Sequence, residues 1–393
     1  MRKILVLFLV LSLLFGTQSV RATDQILPDT SDEILMYVCS VGKADAILLR
    51  VEDHTVLIDT GYPASMGKIL FGMAALGVNA LDAVFITHLD GDHVGGLDWL
   101  AQSDLEIGAW YASAEYMEVS REDKHPVVQA AASRGQSVTF LSAGEEIPLG
   151  GAVLRVLCPI QRIETKEDDN SLVMMLESDR GKILLTGDME YPEERLLMQS
   201  GADLACDVLK VANHGDDDTN SPAFTALVSP KLAVISTATA EKAETPDPAL
   251  VRTLQAQGAE VLVTDSCSGG ILIRLSANEP TAELIDVPEN DSGVTLTAAI
   301  PGEDLIFLQG GETDTDLSGW YLFSSRGNEL FVFPDGTTLP GGETLIVGTR
   351  TSKGAYDVLW NDKKVIHQKK EDLLLLYDAC GNLISQVSNG LSD

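Results

Sequence analysis

An apolar strand, Ala83-Val-Phe-Ile86, runs without interruption into Thr87-His88-Leu89-Asp90-Gly91-Asp92-His93-Val94-Gly95-Gly96. Four consecutive apolar residues make a buried strand, so the residues that follow emerge at a sheet edge, where loops carry chemistry. From His88 to His93 the chain presents His, Asp, Asp and His. Such donors, packed into one turn, suffice for two adjacent divalent cations. Gly91, Gly95 and Gly96 leave the backbone free to wrap that tightly. A fold that buries the strand and still displays the loop is a layered α/β architecture.

The rest of the chain agrees with that architecture up to about Ser276, because short strand-like runs alternate with helical stretches from Glu33 onward. Strands are expected at Ile34–Cys39, Ala46–Val51, Thr55–Ile58, Ser171–Leu176, Ile183–Leu185, Val208–Val211, Leu232–Ile235 and Val261–Val263. Helices are expected at Met66–Leu76, Glu193–Met198 and Pro248–Gln257, the last opened by Thr245 or Asp247 and closed by Gly258. The segments Ala46–Asp59 and Leu172–Asp188 echo one another. Each is a hairpin of apolar strands that delivers an Asp, Asp59 or Asp188, at the end of its second strand. Two such halves would bring both carboxylates to equivalent ends of two sheets.

From about Pro280 the helical periodicity vanishes. Gly, Thr, Asp and Pro then punctuate short apolar runs such as Trp320-Tyr-Leu322, Leu330–Phe333, Thr344–Val347 and Leu373–Tyr377, the pattern of a separate all-β sandwich or barrel. The stretch from Asn278 to Gly293 is the expected boundary. Hydrophobic residues at 45% and charged residues at 22% leave enough apolar side chain for such cores and exclude disorder. The balance of 27 Lys and Arg against 59 Asp and Glu, a net −32, excludes a basic sleeve that binds nucleic acid by neutralising phosphates. Five widely spaced cysteines without a CxxC pair suggest neither a disulfide framework nor a zinc ribbon.

Residues 1–22 carry Arg2 and Lys3, an apolar run from Ile4 to Phe15 and small residues around Arg21, which reads as a cleaved signal peptide. The run is too short to span a bilayer, and no second run approaches that length, so the mature chain is expected to lack a transmembrane segment and to be secreted or held at the cell surface.

Two later segments would complete the cation site: Thr186-Gly187-Asp188, a carboxylate at a strand end, and Asn213-His214-Gly215, an imidazole at another. His54, His125 and His367 lie in turn-like or charged surroundings and read as surface residues, as do Lys43 and Lys210.

The order Asp59-Thr-Gly, His88 to His93, Thr186-Gly-Asp188, Asn213-His214-Gly215 resembles the metallo-β-lactamase superfamily. Within it, Val41-Gly-Lys-Ala-Asp45-Ala46, Asn170-Ser-Leu-Val173 and Leu209-Lys-Val211 are most similar to the hydrolase domain of ComEC-type competence proteins. The resemblance covers residues 33–276 and implies an αββα sandwich with the metal site at one edge. Residues 290–388 resemble lamin-tail domains, which implies an immunoglobulin-like sandwich able to serve a cell-surface or protein partner. Asp90 stands where the superfamily has a second His, and no His lies near Asn170. The resemblance therefore implies one subsite of His88, Asp90 and Asp188 and a second, tighter one of Asp92, His93, Asp188 and His214. Replacing imidazole by carboxylate favours harder ions, so Mn²⁺ competes with Zn²⁺ for the pair of sites. Asp92 would orient or deprotonate the attacking water as the catalytic residue.

The expected activity is hydrolysis of phosphodiesters in nucleic acid or nucleotides by a metal-activated hydroxide, since paired metals suit in-line displacement at phosphorus. Carboxylic esters, thioesters or lactams are the alternative substrates. A different class of reading is an inactive hydrolase core serving as a cell-surface binding protein.

Overall fold

Uninterrupted apolar runs form the first strands. In β1 (Ile34–Cys39), β2 (Ile47–Val51) and β3 (His54–Ile58) nearly every side chain is buried, as in strands covered on both faces. The structure is a computed structural model that describes residues 33–116, 124–163 and 170–392; residues 1–22, read as a signal peptide, lie outside the described residues. The described residues up to Asp286 form one compact unit and those from Val287 another.

In the first unit β1, β2 and β3 pair antiparallel. The chain then continues in parallel through β4 (Ala80–Ile86), β5 (Glu106–Ser113) and β6 (Val138–Leu141). Parallel neighbours need crossovers, and these are supplied by α1 (Met66–Ala75), then α2 (Gly91–Val94) with α3 (Leu97–Gln102), then α4 (Pro126–Ser133). A second sheet repeats the construction. Its strands β7 (Glu146–Leu149), β8 (Ala152–Cys158), β9 (Val173–Ser178) and β10 (Gly181–Leu185) pair antiparallel. They are followed in parallel by β11 (Val208–Lys210), β12 (Leu232–Ile235) and β13 (Glu260–Val263). Here α5 (Tyr191–Gln199), α6 (Pro222–Val228) and α7 (Pro248–Ala256) make the crossovers. Asp247 caps α7, its carboxylate accepting the Ala249 and Leu250 N–H groups.

The chain finally returns to the first sheet as β14 (Gly270–Leu275), which pairs with β1, and β15 (Thr281–Ile285), which pairs with β14. This strand falls in the stretch expected to be a linker, so the first unit runs ten residues past Ser276 to Asp286. As an edge strand with mostly exposed side chains, Thr281-Ala-Glu-Leu-Ile285 lacks the apolar alternation that would have marked it.

The two sheets face each other across a shared core in which Met36, Leu49, Ile58 and Phe85 meet Leu154, Met174, Leu185 and Val234. On the far side of the second sheet Leu209 and Ala233 are covered by Leu197, Phe224 and Leu254 from α5, α6 and α7. On the far side of the first, Gly72 lets α1 approach closely. A Cβ there would lie 2.8 Å from the Tyr37 ring and 3.0 Å from Leu48. The layers are therefore helix, sheet, sheet, helix, the expected αββα sandwich.

The second unit is all-β among the described residues. Its strands are β16 (Thr295–Ile300), β17 (Leu305–Gln309), β18 (Thr315–Asp316), β19 (Tyr321–Ser324), β20 (Glu329–Val332), β21 (Thr338–Leu339), β22 (Thr344–Thr349), β23 (Val358–Trp360), β24 (Leu373–Tyr377) and β25 (Leu383–Ser388). The sheets β16-β17-β22-β23 and β20-β19-β24-β25 share a core of Ile306, Leu308, Trp320, Phe333, Val347, Trp360 and Leu374. No helix among the described residues is long and apolar enough to cross a membrane. Cys39, Cys158, Cys206 and Cys267 are free thiols buried in the first unit, and Cys380 is half-buried.

Candidate metal centre

The parallel registers place the C-terminal ends of β3, β4, β10, β11 and β12 at one edge of the sandwich. Asp59 leaves β3 with a left-handed backbone, φ 59°, its N–H bonded to the Phe85 carbonyl at 2.8 Å. Beside it β4 ends in the loop that starts at Thr87. Asp90 caps the short α2, its carbonyl accepting the N–H groups of His93 at 2.9 Å and Val94 at 3.0 Å. Gly95 and Gly96 then pass so close to the Asp59–Gly61 turn that added Cβ atoms would lie 2.7 Å from the Gly61 carbonyl oxygen and 2.6 Å from that of Thr60. That contact is why the sequence needs glycine there.

Three imidazoles converge from different loops, each oriented by the hydrogen bond its Nδ1 makes. Thr87 donates its N–H to Asp59 Oδ1 at 2.8 Å and its hydroxyl to Asp59 Oδ2 at 2.7 Å. With that proton committed, the Thr87 oxygen is the acceptor for His88 Nδ1–H, 3.0 Å away. His93 Nδ1–H donates to Asp59 Oδ2 at 2.8 Å. His214, in a left-handed turn after β11 with φ 52°, donates from Nδ1 to the Ser236 carbonyl at 2.8 Å. With Nδ1 occupied in this way, Nε2 is the nitrogen that each ring has left to offer a metal.

These Nε2 atoms point at Asp188, at the end of the β9–β10 hairpin. Its Oδ2 lies 3.3 Å from His93 Nε2, 3.3 Å from His214 Nε2 and 3.9 Å from His88 Nε2. Asp92 Oδ2 is 3.5 Å from His214 Nε2. Asp92, His93, Asp188 and His214 each offer one donor atom within 4.8 Å of the others. His88 stands at the margin of this group, and the Asp90 carboxylate lies outside it. The three Nε2 atoms and Asp188 Oδ1 are buried without a hydrogen-bond partner. Buried polar atoms are rarely left so, and a divalent cation among them supplies what each lacks, so the residues fit a metal.

The three imidazoles differ in their hold on a proton, which a ring must give up from Nε2 to bind a metal. Burial and the neighbouring His93 depress His88 to about 3, leaving it neutral. Burial opposes protonation of His93 as well, but the carboxylates of Asp188 and Asp59 outweigh it and hold His93 well above its ordinary value. His214 is raised in the same way, burial being overcome by Asp188 and Asp92. Burial would raise Asp92, yet the neighbouring imidazoles of His214 and His93 bring it below the usual carboxylate range. Of the four grouped side chains Asp92 alone is appreciably exposed, at 20%, against 0–6% for the others.

Residues 40–239, half of the chain, match the metallo-beta-lactamase superfamily. The chain belongs to the metallo-beta-lactamase superfamily. It is thus a metallo-hydrolase whose fold binds divalent metal. Residues 303–390 match the Lamin Tail Domain. Over 290 residues the chain is 27% identical to ComE operon protein 3 of Bacillus subtilis, covering 69% of this chain and 37% of that protein. Over 259 residues it is 28% identical to competence protein ComA of Neisseria gonorrhoeae, covering 65% and 34%. The chain is similar to these competence proteins and spans only about a third of their length. The solved structure of the metallo-beta-lactamase fold protein YhfI from Bacillus subtilis aligns with TM-score 0.40 and 13% identity, over 59% of this chain and 96% of that one.

Two surface expectations are corrected. Lys210 is 0% exposed, because its ammonium pairs with Asp45 Oδ2 at 2.8 Å inside the sandwich. His125 is also buried, its ring set edge-on against Phe140 at the start of α4. His54 remains at the surface, bonded to Asp82 at 3.1 Å. The supporting groups Asp45, Thr87, Ser236 and Lys210 escaped the sequence reading, although Asp45 and Lys210 lie in segments that carried the resemblance.

Proposed function

We propose that this metallo-hydrolase cleaves phosphodiesters of nucleic acid or nucleotides, with two divalent ions, Zn²⁺ or Mn²⁺, at the edge of the sandwich. The observation that carries this reading is that three imidazole Nε2 atoms without hydrogen-bond partners gather around the Asp188 carboxylate, whose Oδ1 lacks a partner too. In the proposed arrangement Asp92, His93, Asp188 and His214 hold one ion, while His88, Asp90 and Asp188 hold the other. Bound there, the ions supply a coordinated water of pKa about 7 and neutralise charge gathering on substrate oxygens.

The chain's own groups do the rest. Asp188, within 3.9 Å of every Nε2, bridges the two subsites. Asp92, partly exposed and held ionised, faces incoming substrate and orients or deprotonates the attacking water. Lys210 is not free to meet an anionic substrate, because its ammonium is spent on Asp45. The substrate class is supported by the similarity to proteins named for competence and for recombination.

The test is metal content of the purified chain, together with p-nitrophenol release from bis-p-nitrophenyl phosphate in Zn²⁺, Mn²⁺ and Mg²⁺. About two equivalents of metal with turnover that disappears in Asp92→Ala is the expected result. Absence of bound metal under all three conditions overturns the reading. The proposal includes export to the cell surface or medium through residues 1–22. Protein recovered from the medium with its N-terminus still at Met1 would contradict cleavage there.

A further inference from the structure

Two segments that carry the resemblance to the competence branch, Val41–Ala46 and Leu209–Val211, contribute no ligand to the centre. Both end in one buried network directly behind it. Lys210, at the end of β11 in the second sheet, reaches Asp45, in the β1–β2 loop of the first, with Nζ 2.8 Å from Oδ2 and both side chains 1% exposed. Among the described residues Lys210 is the only buried lysine or arginine. Its ammonium also donates to the Val211 carbonyl at 3.1 Å. The other carboxylate oxygen, Asp45 Oδ1, accepts a hydrogen bond from the Ser236 hydroxyl. The carbonyl of that same Ser236 receives His214 Nδ1–H. The Asp45 main chain touches two further parts of the site, its N–H donating to the Asp92 carbonyl at 3.2 Å and its carbonyl accepting from Gly61 at 2.7 Å.

We propose that the buried Asp45–Lys210 pair, acting through Ser236, is the device that aims His214 Nε2 into the metal centre and seats Asp92 beside it. The physical reason is competition for one proton. Asp45 Oδ1 is 3.9 Å from His214 Nδ1, farther than the Ser236 carbonyl at 2.8 Å. An ionised carboxylate is the stronger acceptor of the two. Deprived of Lys210, Asp45 is drawn toward the imidazole, and the ring turns off Ser236 and away from Asp188. Deprived of Asp45, Ser236 loses the bond that fixes its place at the end of β12, and Lys210 is left as an unpaired buried charge. Hydrogen-bonding groups behind a ligand of this kind commonly govern metal affinity by 10–100-fold. Asp45, Ser236 and Lys210 are thus positioning residues.

This inference rests on reading the site as a metal centre, and the experiment separates the two. The full chain, stripped of metal, is titrated with Co²⁺ alone and followed by its visible d–d absorption and by chelator competition. Near-ultraviolet circular dichroism of each metal-free variant establishes its fold. Failure of the unsubstituted chain to bind Co²⁺ overturns the metal reading itself. If it binds, Asp45→Asn and Lys210→Met are expected to weaken Co²⁺ 10–100-fold and to shift the d–d band, with a smaller loss in Ser236→Ala. Folded single variants with the parent affinity and band overturn the proposal. Where a single variant does not fold, the Asp45→Asn, Lys210→Met double variant removes both charges at similar volume. Weak Co²⁺ binding with a shifted band in that folded double variant supports positioning, and parent-like binding shows that the pair serves the fold alone.

Discussion

Thr87 holds both oxygens of Asp59, its N–H on Oδ1 at 2.8 Å and its hydroxyl on Oδ2 at 2.7 Å, so the carboxylate that orients His93 is itself fixed by the residue before His88. One threonine thereby sets two imidazoles, because its oxygen also accepts from His88 Nδ1. Asp59→Asn tests this. An amide has one acceptor oxygen and presents N–H to a neighbour that is already donating, so either His93 Nδ1 or the Thr87 N–H loses its acceptor. If His93 responds by changing tautomer, its Nε2 carries the proton and cannot bind metal. Metal affinity measured by chelator competition is expected to fall about 10–100-fold. Unchanged affinity would show that Asp59 is not what aims the ring.

Asp188 should matter more. Its Oδ2 is the common neighbour of His88, His93 and His214. Asp188→Ala is expected to leave no stoichiometric metal after dialysis, with activity lost in parallel. A variant that retains full metal content and turnover would rule out Asp188 as the bridge.

Much of this was readable from local sequence. The hairpins Ala46–Asp59 and Leu172–Asp188 announce themselves because an apolar run needs no tertiary information to be recognised as a buried strand, and each ends in its Asp. The loop from His88 to His93 is equally plain, since its donors are neighbours in sequence. The network behind it is not. Asp45 and Ser236 stand 191 residues apart, and only the pairing of β11 and β12 in the second sheet brings Ser236 and Lys210 to the same place. Lys210 reads as a surface lysine for a physical reason, because its burial depends on a partner carboxylate that sequence spacing does not reveal. The strand β5, with buried, half-buried and exposed residues intermixed, carries no clean period of two.

On the acid side of the stability profile His88 contributes a loss, as does His125, which burial also holds below 6.5. The folded value of His88, about 3, lies below the ordinary 6.5, so as pH falls the unfolded chain takes up this proton first and stability drops. His93 and His214 are shifted the other way. Their stabilisation is complete below 6.5 and is lost only as pH climbs through their raised values, so they add no slope in the acid range. Asp188 is depressed well below 3.8, so its stabilisation is present above 3.8 and is lost only at lower pH still. Between about pH 6 and pH 4.5 the metal-free chain should therefore lose about 1.4 kcal/mol per pH unit through His88. Urea unfolding in the presence of chelator should show a slope smaller by one proton in His88→Gln. An identical slope would mean that the buried imidazole is not the group being titrated.

The lamin-tail unit offers a prediction that separates fold from chemistry. Asp304, 3% exposed and left-handed at φ 57°, bonds three groups with its carboxylate: the Thr349 hydroxyl, the Thr351 hydroxyl at 2.9 Å and the Ile366 N–H at 3.1 Å. Asp304→Ala leaves these donors without their acceptor, at a cost of roughly 3 kcal/mol or more. Trp320 and Trp360 lie in this core, whereas Trp99 and Trp110 lie in the metallo-hydrolase unit, so variants that keep one pair of tryptophans report each unit separately. The expected result is an early transition for Trp320 and Trp360 with metal content unchanged. Because Asp304 belongs to the unit that supplies none of the candidate ligands, a loss of metal in this variant would instead show that the centre depends on the lamin-tail unit for its assembly.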